Sequence, residues 1–179
     1  GNMKDFIFVI GMAIFSISST AQSSSVTSGK FDAEGPFWPH WIRLNGPVVS
    51  TADGGNVQTE ITGGYNLGSY LVTNSSDQLF PDFTPLKVDG LIYIVRTGKD
   101  IVLKGAGTLI DEDSDKMFMI IRRNDGTSEQ GGAGVVLLTG GTGKYQGIKG
   151  KCPYDLKFPE TGYGSPYFRC RWVKKDGAD

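Results

Sequence analysis

Gly140-Gly141-Thr142-Gly143-Lys144-Tyr145-Gln146-Gly147-Ile148-Lys149-Gly150 sets five glycines into eleven residues, with an apolar run on either side. A phosphate-binding loop would need glycine five residues before Gly143 and Ser or Thr after Lys144. The chain has Leu138 and Tyr145 there. A dinucleotide fingerprint would need a third glycine at position 146, which is Gln146, and a helix after it. The stretch therefore reads as a corner between two strands. Its glycines permit positive φ and close chain approach, and Tyr145 and Ile148 are free to pack inward.

Outward from this corner the same grammar repeats. Ala133–Thr139 precedes it, and Lys151–Phe158 and Tyr163–Val173 follow, joined by Pro159-Glu160-Thr161-Gly162. Upstream, Val88–Arg96, Ile101–Ile110 and Met117–Arg122 are apolar, β-branched runs of about ten residues. The turns Thr97-Gly98-Lys99-Asp100, Asp111-Glu112-Asp113-Ser114-Asp115 and Asn124-Asp125-Gly126 separate them. Such spacing suits an antiparallel barrel or sandwich. Met117, Met119 and Ile121 share one face of their strand and Phe118 and Ile120 the other, so this strand is expected to be buried on both sides or to line an apolar cavity.

Earlier still, Tyr65–Thr73 is a strand candidate, and Val48–Thr51 and Val57–Ile61 read as two short strands around Ala52–Asn56. Phe31–Trp41, dense in aromatics and prolines, is expected to be a plug, flap or edge strand covering one mouth of the fold. Asn74-Ser75-Ser76 matches a glycosylation sequon.

The N-terminus differs in kind. Gly1-Asn2 reads as a tag remnant, Met3-Lys4 as a basic start, Phe6–Phe15 as an apolar run too short to span a bilayer, and Ser19-Thr20-Ala21 as a cleavage site before Gln22. The expected division is a tag remnant and signal peptide at 1–21, a flexible Ser/Thr-rich lead-in at 22–36, and a barrel domain at 37–175. Localisation is then secreted or periplasmic, with no stable membrane insertion after leader removal. Export agrees with the even cysteine pair, Cys152 and Cys170, which should form one disulfide closing the end of a terminal hairpin.

Lys plus Arg total 18 against 19 for Asp plus Glu, so no basic excess points to nucleic acid. Two cysteines and the single His40 are too few for an ordinary zinc site, and no metal or other cofactor is expected. Asp111–Asp115 alternates carboxylates, but an EF-type loop would need a glycine and a final carboxylate where Lys116 and Arg122 stand, so a solvated turn is preferred. His40 lacks a nucleophile motif around it.

Polar and aromatic groups set into apolar strands supply the site candidates: Glu60, Tyr93, Arg96, Arg122 and Trp172, with Arg169, Arg171 and Tyr167 similarly placed. Inside a barrel they would orient an oxygenated apolar ligand; outside, they would form a wet face.

Residues 107–116 (Gly-Thr-Leu-Ile-Asp-Glu-Asp-Ser-Asp-Lys), Gly134–Leu138 and the Gly-Gly-Thr-Gly-Lys-Tyr run together resemble the allene oxide cyclase-like barrel proteins, and dirigent proteins carry a similar barrel and signature. The resemblance covers roughly residues 88 to 155. It implies an all-β, single antiparallel eight-stranded barrel with an apolar cavity, in a superfamily that steers cyclisation or coupling of reactive small molecules without a metal. No catalytic residue carries over, because the matching positions are turns. Two functions follow as expectations. One is an exported barrel that binds a small apolar or aromatic ligand, with cofactor-independent cyclase or isomerase steering as its catalytic form. The other is a non-enzymatic envelope or extracellular interaction protein with a side-chain-filled barrel.

Overall fold

The computed structural model describes residues 25–98, 100–123, 131–160 and 162–175. The leader, the Asn124-Asp125-Gly126 turn and the last four residues lie outside them. Nine strands run in order: β1 (Val26–Glu34), β2 (Phe37–Ser50), β3 (Asn56–Ser75), β4 (Pro85–Thr97), β5 (Asp100–Ile110), β6 (Lys116–Arg123), β7 (Gly131–Gly141), β8 (Ile148–Glu160) and β9 (Tyr163–Lys175). Every pairing is antiparallel. Each strand from β3 to β9 pairs with the next, β9 returns to β1, and β1 pairs with β3. The result is a closed eight-stranded barrel with β2 as an extra strand.

β3 makes this closure possible. Its last residues, Leu71–Ser75, pair with β1, while Asn56–Gly68 pair with β2, so both halves of one flank are covered by two consecutive strands. The chain breaks between them at Gly35-Pro36. β1 follows β9 along its whole length, whereas β2 touches β9 only at Phe37 opposite Gly164. Two sequence expectations change here. The lead-in at 22–36 contains β1, whose Phe31 and Ala33 are buried and close the barrel. The two short strands expected around the turn at residues 52–56 are the facing ends of β2 and β3, which run 14 and 20 residues on either side of it.

One end of the barrel is filled with aromatic rings. Phe80, carried by the loop between β3 and β4, is fully buried. It stacks on Phe31 (4.1 Å between centroids) and Tyr145 (5.3 Å) and meets the edge of Trp172 (5.7 Å). Asp77 fixes the loop by accepting hydrogen bonds from the Leu79 and Phe80 amides at 2.9 and 3.2 Å. The plug is thus Phe80; of the roles expected for Phe31–Trp41, edge strand is the one the structure gives, since Phe31–Glu34 belong to β1 in the wall and Phe37–Trp41 to β2, the extra strand that meets β9 at a single residue pair.

The glycine-rich corner seals the same end. Gly143–Tyr145 forms one 3-10 turn, and Gly143 (φ 51°) passes so close to the Asp115 carboxylate that any Cβ would collide with it. Lys144 Nζ lies 2.6 Å from Asp111 Oδ2 and 2.9 Å from Asp113 Oδ2, and the Lys144 amide donates to Asp115 Oδ2 at 3.1 Å. Asp111 is itself buried and accepts the Asp113 and Asp115 amides, each at 3.0 Å. The acidic turn and the glycine corner, read separately in the sequence, form a single lock across β5–β6 and β7–β8. Asp111 is the part of that turn which is not solvated.

Cys152 and Cys170 form a disulfide (S–S 2.05 Å) between β8 and β9. Both are buried within the barrel, flanked by Val136 on β7 and Phe31 on β1, so the bond braces the middle of the wall instead of closing a sheet end. By chain-entropy reasoning a loop of this size is worth ~3 kcal/mol.

Burial alone would raise the Asp111 pKa. Hydrogen bonds from Lys144, Tyr145 and the Asp115 backbone, with the Lys144 charge, outweigh it and hold the carboxyl below its ordinary value. Hydrogen bonds to Asp111 and Asp113 hold Lys144 above its own. The Asp111 contribution is therefore complete above the ordinary carboxylate range and lost as pH falls through the lowered value; the Lys144 contribution is complete below the ordinary lysine value and lost as pH rises through the raised one. Asp111→Asn should destabilise the protein by about 2–3 kcal/mol at neutral pH and flatten the acid limb of its stability curve. In denaturant titrations with Lys144→Met, the double variant should lose about 1 kcal/mol less than the sum of the singles.

Candidate functional site

Alternation along the strands decides what faces the lumen. On β4 the even positions Leu86, Val88, Gly90, Ile92, Ile94 and Arg96 point in, and register carries this to the odd positions of β5 and β6. Toward the open end the lumen is not filled. Gly90 and Gly107 face each other across β4 and β5, where two side chains would otherwise fill the space. A chamber of about 80 Å³ remains, walled by aliphatic and aromatic groups including Phe37, Trp41, Leu103, Met119, Val136 and Phe168. That is room for several waters or part of a small ligand.

Few polar groups enter this chamber. Asn66 on β3 is 4% exposed; its Nδ2 makes a long 3.5 Å bond to the Gly64 carbonyl, and its Oδ1 has no hydrogen-bond partner. Tyr154 on β8 lies over Gly134, where a Cβ would overlap its ring, and its hydroxyl donates to the Arg122 carbonyl at 3.4 Å. Burial pushes the Tyr154 pKa up to about 12, although the nearby Arg123 charge pulls it down. Burial, followed by proximity to Tyr154, raises Tyr70 further still. Both phenols are neutral donors across the physiological range.

The chamber opens into a wider funnel of about 410 Å³, and the two share Trp41, Ile94, Arg123 and Phe158 in their walls. Arg43, Glu60, Thr62, Arg96 and Tyr163 also line the funnel. Arg96 and Glu60 face each other in register and approach to 4.0 Å, with Thr62 Oγ1 donating to Glu60 at 3.3 Å. Arg123 donates to the Gly131 carbonyl, and burial lowers its pKa. The described lining therefore carries three guanidiniums and one carboxylate at the rim of an apolar chamber.

Of the sequence candidates, Glu60 and Arg96 meet in the funnel. Trp172 faces inward but packs at the filled end against Phe80, away from the chamber. Tyr93 and Arg122 lie on the outer face, because each is one residue out of phase with the inward positions Ile92, Ile94, Ile121 and Arg123. Arg169 and Tyr167 are also outside, bonded to Asp155 (2.7 Å) and Asp32 (2.7 Å). Arg43, Asn66, Tyr70, Arg123 and Tyr154 were missed. The inward phase of Met117, Met119 and Ile121 extends to Arg123 and could have found it.

No family model and no curated protein sequence matches the chain. Among solved structures, the pterocarpan synthase dirigent protein GePTS1 is similar over 86% of this chain and 92% of that one, at 12% identity and a TM-score of 0.47. The barrel assignment stands on the strand pairing itself. Among the described residues no helix is long and apolar enough to cross a membrane.

Asn66→Leu tests the orphaned amide. Replacing a buried, half-satisfied polar group by an apolar one of similar size should leave the ligand-free protein as stable or about 1 kcal/mol more stable in urea denaturation. A loss above about 1 kcal/mol would mean that the amide supports the fold.

Proposed function

We propose that this protein binds a small apolar or aromatic molecule in the open half of its barrel, with an oxygenated end directed toward the funnel. The observation that carries this reading is the apolar chamber, into which the barrel brings one buried amide oxygen without a partner. A dry hydrophobic void would not call for Asn66, and a ligand hydroxyl would satisfy it.

The chemistry open to such a site is conformational. Apolar walls select a folded shape of a flexible ligand, and Asn66, Tyr70 and Tyr154 offer neutral hydrogen bonds around it. If the bound molecule is reactive, holding one conformer steers its cyclisation or isomerisation. The resemblance to allene oxide cyclase-like barrels agrees with this; its most specific part, the Gly-Gly-Thr-Gly-Lys-Tyr run, lies in the lock at the opposite end and names no chamber residue. A disulfide suits an oxidising compartment, and we place the protein outside the cytoplasm after removal of residues 1–21.

Two experiments bear on this reading. 2-Naphthol, followed by its own fluorescence, should bind the wild-type protein; Ile92→Trp, which fills the chamber, should weaken binding at least tenfold, and Asn66→Leu should weaken it about five- to thirtyfold. Unchanged affinity in Ile92→Trp would overturn the proposal. Expression with the native leader, followed by N-terminal sequencing of the exported form, should read Gln22 first; a start at Met3 would remove the signal-peptide assignment.

A further inference from the structure

Two hydrogen-bonding groups in the lumen are left without a counterpart by the barrel, and they are of opposite kind. Asn66 and Tyr70 lie four residues apart on the inward face of β3, both buried and both lining the chamber. At an ordinary strand rise their Cα atoms stand about 13 Å apart. Thr62, four residues before Asn66 on the same face, lines the funnel, so Asn66 is the upper group and Tyr70 the deeper one. Tyr70 also walls the void of about 20 Å³ beside the disulfide, which puts it at the chamber floor.

Asn66 offers an acceptor. Its Nδ2 faces the Gly64 carbonyl at 3.5 Å, since the opposite orientation would set oxygen against oxygen, and that leaves Oδ1 without a donor. Register places Gly90 beside Asn66 and Gly107 beside Gly90, so the next inward side chain round that wall is Met119, which supplies no donor either. Tyr70 offers a donor. Its ring packs on Phe168, 5.0 Å away between centroids, and among the described residues no group hydrogen-bonds its hydroxyl. Burial keeps that hydroxyl protonated at neutral pH. Two neighbouring donors are committed to the backbone, Tyr154 to the Arg122 carbonyl and Arg123 to the Gly131 carbonyl.

Resting on the reading of the chamber as a ligand site, we infer that the ligand is a neutral hydroxy-carbonyl or hydroxy-ether compound: its hydroxyl, toward the funnel, donates to Asn66 Oδ1, and its deep oxygen accepts from Tyr70. The two lumen groups discriminate among oxygenated molecules. A carboxylate brings acceptors only, and placing one against Asn66 Oδ1 leaves two oxygens desolvated and unpaired. A hydrocarbon satisfies neither group, and a simple phenol satisfies Asn66 alone. A site with buried polar groups disfavours a molecule that lacks their counterparts, because those groups are then left unpaired in the complex. The spacing of Asn66 and Tyr70 suits a two-ring body with its oxygens at opposite ends.

Isothermal titration calorimetry of the purified protein with 2-naphthol, 2-acetylnaphthalene, 6-acetyl-2-naphthol and 2-naphthoate tests the inference. 6-Acetyl-2-naphthol should bind the wild type about three- to tenfold more tightly than 2-naphthol, and 2-naphthoate more weakly than either. Tyr70→Phe should abolish the advantage of the acetyl group while leaving the affinity for 2-naphthol within about twofold. Asn66→Leu should weaken both hydroxylated probes by a similar factor and spare 2-acetylnaphthalene. Equal wild-type affinity for 2-naphthol and 6-acetyl-2-naphthol would overturn the inference alone, leaving the ligand site standing. So would tightest binding of 2-naphthoate, which would make the site one for anions. If no probe binds, the ligand site fails and the inference with it. Should Tyr70→Phe fail to fold, the order of the wild-type affinities decides.

Discussion

The requirement that a sheet leave no exposed edge governs this structure. Eight strands satisfy it by closing on themselves, and closure is possible because β3 is long enough to be shared. One part of its flank takes β1, which ties it back to β9, and the other takes β2, which leaves the barrel as an added strand. The break at Gly35-Pro36 lets the chain pass from one duty to the other without leaving the edge of β3. From that sharing come a bonded wall at the filled end and a seam between β2 and β9 at the open one. The chamber and funnel sit on the open side.

The filled end shows why turn chemistry and core packing are hard to separate. Lys144 neutralises Asp111 because Gly143 lets the corner approach the acidic turn, and the corner in turn buries Tyr145 against Phe80. Asp111 tolerates burial because two backbone amides and an ammonium group meet its oxygens. Loosening any one of these would expose the aromatic stack.

Much of the architecture was readable because alternation and turn residues act locally. The strands from β4 to β9, the glycine corner and the cysteine pairing follow from such signals. Features that depend on partners distant in sequence were not readable. β1 has few apolar residues, and Phe31 and Ala33 count as core only once β9 and β3 lie beside them. Phe80, in a loop bracketed by prolines, shows its role only when Tyr145 and Trp172 are brought to it. The site was partly legible: Glu60 and Arg96 occupy in-phase positions that register brings together. Tyr93 and Arg122 were drawn from the wrong phase of otherwise correct strands, an error of one residue that places a side chain on the other side of the wall. Asn66 carried no local signal, since its lack of a partner is a property of the assembled lumen.

The barrel concentrates its aromatic stack in one half and its hollow in the other. The aromatic stack and the corner lock hold one end, the disulfide braces the middle of the wall, and the hollow occupies the other end, behind glycines that contribute little packing. Much of the chamber wall, Val88, Met119 and Val136 among it, also belongs to the hydrophobic core, whereas Ile92 and Ile94 line the hollow without being fully buried. Selection acting on what the chamber admits therefore has its freest positions at such half-buried walls, where a change of ligand shape costs the core least, and its most constrained ones where the same side chain both shapes the hollow and holds the barrel together.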